Sequence, residues 1–203
     1  MEKENNLIKN LKLDNTYGFI DNLLNDKINL MDSVHRQATI STIKQENIAQ
    51  HSFHVAYYAL KLSKALNLSE QLQGEIVIEA LIHDIAETSI SDVPSNVKHS
   101  VPELKPLLDK AEDLAIEKYF PEISDEFKKL RQDENEKNIK GTIIKIADII
   151  AFIQFCLTEE ELGNKTQTLT KAKHNSTNSL TQFVERLQEL IKKNRLNNKN
   201  NNE

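Results

Sequence analysis

Apolar residues along this chain recur three and four positions apart, the spacing of one face of an α-helix, rather than at the alternating spacing of a strand. The first such stripe is Phe19, Ile20, Leu23, Leu24 and Ile28, over Asn15 to about Leu30. A stretch carrying Arg36 follows, and then a β-branched segment, Thr39 to Ile43, which reads as an extended connection. Val55, Ala56, Ala59, Leu60 and Leu62 give a packing face to a helix over about 48–66, broken by Asn67-Leu68-Ser69. A second helix is expected from Glu70 or Gly74 to about Glu87, and Thr88 to Ser95, rich in small hydroxyl residues around Pro94, reads as a loop. Leu104, Leu107, Leu108, Ala111, Leu114, Ala115 and Ile116 predict a helix within 102–120, ended by Pro121. The charged segment 124–138 reads as solvated. Ile139 to Leu157 is the most apolar helix, with Glu159-Glu160-Glu161 as its solvated end. In the last helix, about 176–195, Leu180, Phe183, Val184, Leu187, Leu190 and Ile191 form a packing stripe or a face for self-association. An all-α fold follows, with a polar arm over 1–14, one helical domain over 15–195 and a disordered Asn-rich tail over 196–203.

Against this background the polar interruptions stand out. His83 and Asp84 sit side by side among Ile76, Val77, Ala80, Leu81, Ile85 and Ala86, and burying them calls for a compensating partner. Glu87 lies four residues after His83 and three after Asp84, one turn further along the same helical surface. A lone His-Asp pair serves equally well as a satisfied core hydrogen bond. Two further ionisable residues occupy apolar helical runs, however: His51 upstream and Asp148 within Ile143 to Ile150. Two imidazoles and two carboxylates suit a borderline divalent ion such as Mn, Fe, Co or Zn and leave room for water and a substrate oxygen. Spacing alone does not bring them together.

Composition narrows the function. With 203 residues and 38% hydrophobic content, the chain is long enough for one domain with a substantial core. A net charge of -5 without a basic cluster argues against nucleic acid as a partner but is compatible with a small phosphorylated ligand. Cys156 is the single cysteine, so no internal disulfide forms and a cytoplasmic setting is expected. The polar start carries no apolar signal core, and no apolar run is judged to approach membrane-spanning length, so no membrane partner is expected.

Arg36, Glu46-Asn47 leading into His51-Ser52, His83-Asp84-x-x-Glu87, Asp92-x-Pro94 continuing to Val97-Lys98, and Lys145-x-Ala147-Asp148 form an ordered series over roughly 17–165. In these residues the chain resembles the HD-domain metal-dependent phosphohydrolases, and more narrowly the bacterial 5'-deoxynucleotidase (YfbR-like) branch. The resemblance implies a single HD-domain helical bundle in which His51, His83, Asp84 and Asp148 bind one divalent transition metal, Co, Mn, Fe or Zn. It also implies that Arg36 orients the phosphate and that Glu87 aligns or deprotonates the nucleophile. Asp92 has a catalytic role there and, with Val93, Pro94 and Ser95, touches the nucleotide sugar. Gln37 and Lys98, together with His51 and Asp84 on the metal face, complete the expected substrate contacts, while Lys98 and Lys145 read equally as snorkelling surface lysines. His35, His54, His99 and His174 are not assigned to the metal.

The activity implied is release of phosphate from (deoxy)nucleoside 5'-monophosphates by metal-activated water, in a homodimer or higher homo-oligomer. A dATP-type triphosphohydrolase of the same fold, a non-catalytic nucleotide sensor and a purely structural helical scaffold are the other readings. One departure bears on specificity: the deoxynucleotidase branch tends to carry tryptophan straight after the arginine, whereas this chain has Gln37 and no tryptophan. An aromatic wall against the sugar or base is thereby lost.

Overall fold

Side-chain caps set where three of the helices begin. The computed structural model describes Leu23 and residues 26–98 and 100–200. The arm over 1–14, the stripe residues Phe19, Ile20 and Leu24, His99, and residues 201–203 lie outside the described residues. Helix α1, Ile48–Ala65, opens on Asn47, whose side chain accepts from the Gln50 N–H while Gln50 reaches back to the Asn47 N–H. Helix α2, Glu70–Ile82, opens on Ser69, which accepts from the Leu72 N–H. Two single turns follow, α3 (Glu87–Ile90) and α4 (Ser95–Lys98), then α5 (Leu104–Tyr119) and α6 (Ser124–Glu136). Asn138 caps α7, Ile139–Glu161, by accepting from the Gly141 N–H, and α8 runs Gln167–Asn200.

Helix α7 is the axis of the bundle, packed against α1, α2, α6 and α8. Ile48, Val55 and Ala59 of α1, Ile76 and Ala80 of α2, and Ile143, Ile144 and Ala147 of α7 meet in one core with hardly any exposed surface. Each buried isoleucine contributes about 1.5–3 kcal/mol. Over an 18-residue window α7 is long and apolar enough to cross a membrane, contrary to the sequence expectation. More than half of that window is buried by the protein's own helices, which is where its apolar surface goes.

Several elements differ from expectation. Between residues 27 and 32 the chain forms a 3-10 turn, with Ile28 and Leu30 exposed, rather than the end of an α-helical stripe. The β-branched segment 39–43 pairs with no strand; it is an irregular loop that starts with a turn closed by the Ile40 N–H on the Gln37 carbonyl. Among the described residues the one β-type contact is a bridge between His35 and Asn47. The segment 124–138 is not simply solvated: most of it is α6, which buries Phe127, Leu130 and Asp133 against the core. The acidic triplet is not all solvated either, since Glu159 has no exposed surface. Helix α8 runs to Asn200, within the tail expected over 196–203. Its stripe serves the protein's own core: Leu187 is buried and Leu180, Phe183 and Ile191 pack beside it.

The junction between α6 and α7 is tight. Helix α6 closes on Lys137 in the left-handed region, φ 50°, and brings the Asp133 carbonyl onto Gly141. A Cβ at 141 would run into that backbone carbonyl and come within 2.9 Å of the Glu134 nitrogen, with no flexible side chain able to give way. Gly141→Ala is therefore expected to cost about 2 kcal/mol by overpacking. Urea denaturation measures this, and a loss under about 0.5 kcal/mol, the range of ordinary surface substitutions, would show that the junction yields.

Candidate metal centre and phosphate pocket

The chemistry-bearing residues are delivered by three helices and two loops. Helix α1 supplies His51, which is fully buried, and α7 supplies Asp148. The expected helix through His83 and Asp84 instead ends at Ile82. From there the chain winds more tightly: the Ile85 N–H donates to the Ile82 carbonyl and the Glu87 N–H to the Asp84 carbonyl, both at 3.0 Å. Three-residue winding eclipses side chains at i and i+3. Asp84 and Glu87 consequently face one partner, Arg36, whose guanidinium pairs with Asp84 and lies 3.7 Å from a Glu87 oxygen.

His51, His83 and Asp148 each present one ligand atom within 4.8 Å of the others. The His51 Nε2 is 3.1 Å from an Asp148 oxygen. Asp84 closes the group, with one oxygen 3.2 Å from the His83 Nε2 and 3.7 Å from the His51 Nε2. The Nδ1 of His83 lies 2.8 Å from the Ala80 carbonyl, which can only accept, so that nitrogen carries the hydrogen. The His83 Nε2 lone pair is then turned into the cluster, where it is buried and has no hydrogen-bond partner.

The charges agree with a site that calls for a cation. Burial disfavours the charged forms of Asp84 and Asp148, yet both are held below the usual carboxylate range, Asp84 by His83 and Arg36 and Asp148 by Lys145 and His51. Burial also disfavours charge on His83, but Asp84 prevails and raises the imidazole to about 9, so without a cation the Nε2 holds a proton toward Asp84, and a metal bound there would take that proton's place. His51 is lowered, by burial and then by Arg36, which keeps it in the neutral form a metal needs. Donor types, the inward lone pair and the excess of carboxylate thus fit a divalent ion.

Beside this cluster is a buried guanidinium with one donor to spare. Arg36 stays charged despite burial because Asp84, Asp148 and Glu87 surround it, and its Nε–H is buried without an acceptor. Glu87 is almost fully buried and has one oxygen without a partner. Burial first, and then Asp84, push its carboxyl up to about 9. A cation in the neighbouring cluster acts in the opposite direction and favours the carboxylate.

The second loop contributes Asp92, Val93 and Pro94, and its Ser95 opens α4. Asp92 does not close its own turn; it accepts from the Gln37 N–H of the other loop at 3.1 Å. Gln37 has φ 65° and reaches toward Glu46 with its side chain, 3.4 Å away. Lys98 lies 3.4 Å from Glu87 and 4.0 Å from Glu112, and Lys145 donates to Asp148 at 2.7 Å. Sequence reasoning assigned no role to Glu46, which is buried and places an oxygen 3.7 Å from the His51 Nδ1. Its signal was an acid directly before the helix that carries a candidate ligand.

A family model described as 5'-deoxynucleotidase YfbR-like matches residues 24–193. A 5'-deoxynucleotidase of Photorhabdus temperata is 27% identical over 147 residues, covering 69% of this chain and 75% of that protein. One of Vibrio vulnificus is 29% identical over 150 residues, covering 70% and 76%. Among solved structures, an HD-domain phosphohydrolase from Listeria innocua superposes with a TM-score of 0.66 at 17% identity, covering 82% of each chain. The cyanophage S-2L HD phosphohydrolase bound to dA and one catalytic Zn2+ ion gives 0.62 at 18% identity, covering 82% of this chain and 95% of that one. At these identities the solved structures speak for the fold.

Proposed function

The chain belongs to the YfbR-like 5'-deoxynucleotidase family, and from that premise we propose that it is a metal-dependent phosphohydrolase releasing phosphate from (deoxy)nucleoside 5'-monophosphates. The observation that carries this reading is a set of three buried atoms without a hydrogen-bond partner at one corner: the His83 Nε2, the Arg36 Nε and a Glu87 oxygen. They are a lone pair for a cation, a donor for an anion and an acceptor for a proton, the three contacts that hydrolysis of a phosphate ester requires.

His51, His83, Asp84 and Asp148 are the residues we assign to the ion. When bound, a divalent metal supplies Lewis acidity toward a phosphoryl oxygen and lowers the pKa of water. Arg36 offers its free Nε–H to a non-bridging phosphoryl oxygen while Asp84 fixes the plane of the guanidinium. Glu87 takes the proton of the attacking water at its unpartnered oxygen, and Lys98 holds the other oxygen in place. Asp92, Val93, Pro94 and Gln37, with the backbone at Ser95, are the residues we assign to the nucleoside side. Gln37 stands where relatives tend to carry an aromatic wall, and its side chain turns to Glu46, which supports a broad rather than strictly deoxyribose preference.

Phosphate release from dNMPs, NMPs and dNTPs, assayed with Co, Mn, Fe and Zn in turn, tests the proposal. Monophosphate turnover is expected. Triphosphate release from dNTPs alone would transfer the assignment to a triphosphohydrolase, and saturable binding without product would make it a sensor. Glu87→Gln keeps the shape and removes the proton acceptor, so turnover should fall about 10²- to 10⁴-fold while metal stoichiometry stays at the wild-type value. Wild-type turnover in that variant would remove Glu87 from the chemistry. The same reading carries a homo-oligomer in the cytoplasm. In its support, Phe53 and Tyr57 stand exposed one turn apart on α1, and the lone thiol, Cys156, is buried and free.

A further inference from the structure

The loop from Arg36 to Glu46 is closed at its neck, where the Arg36 N–H donates to the Glu46 carbonyl at 2.9 Å and His35 bridges Asn47. Arg36, Gln37 and Glu46 all sit at that neck, beside the metal cluster. The far side of the loop is held by a different part of the molecule. One oxygen of Glu159 accepts from the Ile43 N–H at 2.6 Å and the other from the Lys44 N–H at 2.7 Å. Asn164 donates both to Glu159, at 2.7 Å, and to the Ser41 carbonyl, at 2.8 Å. Ile40 packs into a small cluster of Phe155, Cys156 and Leu169.

Glu159 is fully buried, and no lysine or arginine among the described residues lies within ion-pair distance of it. A buried carboxylate with no ion-pair partner in contact is costly unless its hydrogen bonds are supplied. Here two consecutive peptide N–H groups and an amide supply them, and they hold the carboxyl below its usual range despite burial. Hydrophobic burial alone would have anchored the loop without fixing the orientation of its peptides. The neck also holds Gln37 at φ 65°, a left-handed conformation that a non-glycine residue keeps only when its surroundings impose it. In that conformation the Gln37 N–H reaches Asp92 across the pocket.

We propose that Glu159 and Asn164 are positioning residues for phosphate recognition: by clamping residues 41–44 they hold the loop neck so that the Gln37 N–H stays on Asp92 and Arg36 stays beside the metal cluster. The role rests on the phosphohydrolase reading given above. Without the clamp, Gln37 relaxes out of the left-handed region, its contact with Asp92 is lost and the Arg36 fork swings away from the phosphoryl position. The metal ligands, held by α1, α7 and the turn that follows α2, stay where they are.

The test uses the full chain with Glu159→Gln, and with Ile40→Ala as a milder change at the same loop. Hydrogen exchange over 37–46, metal stoichiometry, and KM and kcat for a deoxynucleoside 5'-monophosphate are measured together. Faster exchange confined to the loop, wild-type metal content and a fall in kcat/KM of roughly 10- to 100-fold, borne mainly by KM, are expected. Faster exchange or lower thermal stability with a wild-type KM would reduce Glu159 to a structural anchor and overturn the proposal. Unchanged exchange in both variants overturns it as well. Wild-type protein that releases no phosphate from any nucleotide defeats the parent reading, a result separable from active wild type with unaffected variants.

Discussion

Asp148→Ala should leave a folded protein that no longer holds its metal. The Asp148 carboxylate has two partners, the His51 Nε2 at 3.1 Å and Lys145 at 2.7 Å. Lys145 is about half exposed and can swing into water, so its loss of a partner costs little. The fully buried His51 keeps Asp84 within 3.7 Å. In the absence of metal the variant should therefore lose no more than about 1 kcal/mol, the ordinary range for a point substitution. Metal binding is a different matter, because the remaining ligands carry one negative charge fewer and a corner of the cluster is open. Changing groups that merely support a ligand already costs about 10- to 100-fold in affinity, and removing a ligand should exceed that. Metal at 100 times its wild-type dissociation constant stabilises the native protein by about 2.7 kcal/mol, and that rise in melting temperature should vanish in the variant. Phosphate release should vanish with it. Retention of one equivalent of metal after dialysis would exclude Asp148 from the ligand set.

That cluster was legible in the sequence for a physical reason. His51, His83, Asp84 and Asp148 are charged or polar residues in runs that are otherwise apolar, and such residues are rare in a core unless they are paired or bind something. Their order along the chain could be read, but the winding that joins them could not. Ile82 to Glu87 has nothing that forbids a continuing α-helix, and the change to three-residue bonds after Ile82 belongs to packing around the site. The result matters for chemistry, since it is this turn that sets Asp84 and Glu87 on Arg36 together.

Other features carried a signal that composition masked. Glu159 belongs to a run of three glutamates, which reads as a wet helix end, yet it lies four residues after Phe155 and three after Cys156, both buried. Helical periodicity therefore placed it on the inner face, while Glu160 pairs with Lys173 on the outside. In α6 only two apolar residues, Phe127 and Leu130, stand on the buried side of a heavily charged segment, too few for a stripe to be recognised. The third buried position there, Asp133, depends on a lysine from another helix, and no local pattern announces such a pair.

That lysine is Lys140, and replacing it with methionine should be the most destabilising of these single changes. Its ammonium lies 2.7 Å from Glu79 of α2 and 2.7 Å from Asp133 of α6, with Glu75 at 3.5 Å, so one charge on α7 ties three helices together. Glu79 and Asp133 are both buried. Methionine fills the space of the lysine stem but leaves two carboxylates facing each other without a cation, a loss of about 3–5 kcal/mol for a broken buried pair. The pH dependence identifies the cause. Burial already raises the Glu79 pKa above its ordinary value even with Lys140 present, and removal of the lysine raises it further. A carboxyl whose folded pKa lies above the unfolded one contributes stability that is complete below the unfolded value and is lost as pH rises through the folded one. The difference between wild type and Lys140→Met should therefore be small near about pH 4 and grow toward neutrality. In the wild type the lysine itself is raised above its ordinary range, by Asp133 and Glu79 against burial, so its contribution persists until pH climbs past about 10.4. Urea denaturation across that range measures both limbs. A loss that is the same at every pH would mean that imperfect packing of methionine, rather than the missing charge, loosens α2, α6 and α7, and adding Glu79→Leu to Lys140→Met should then restore nothing.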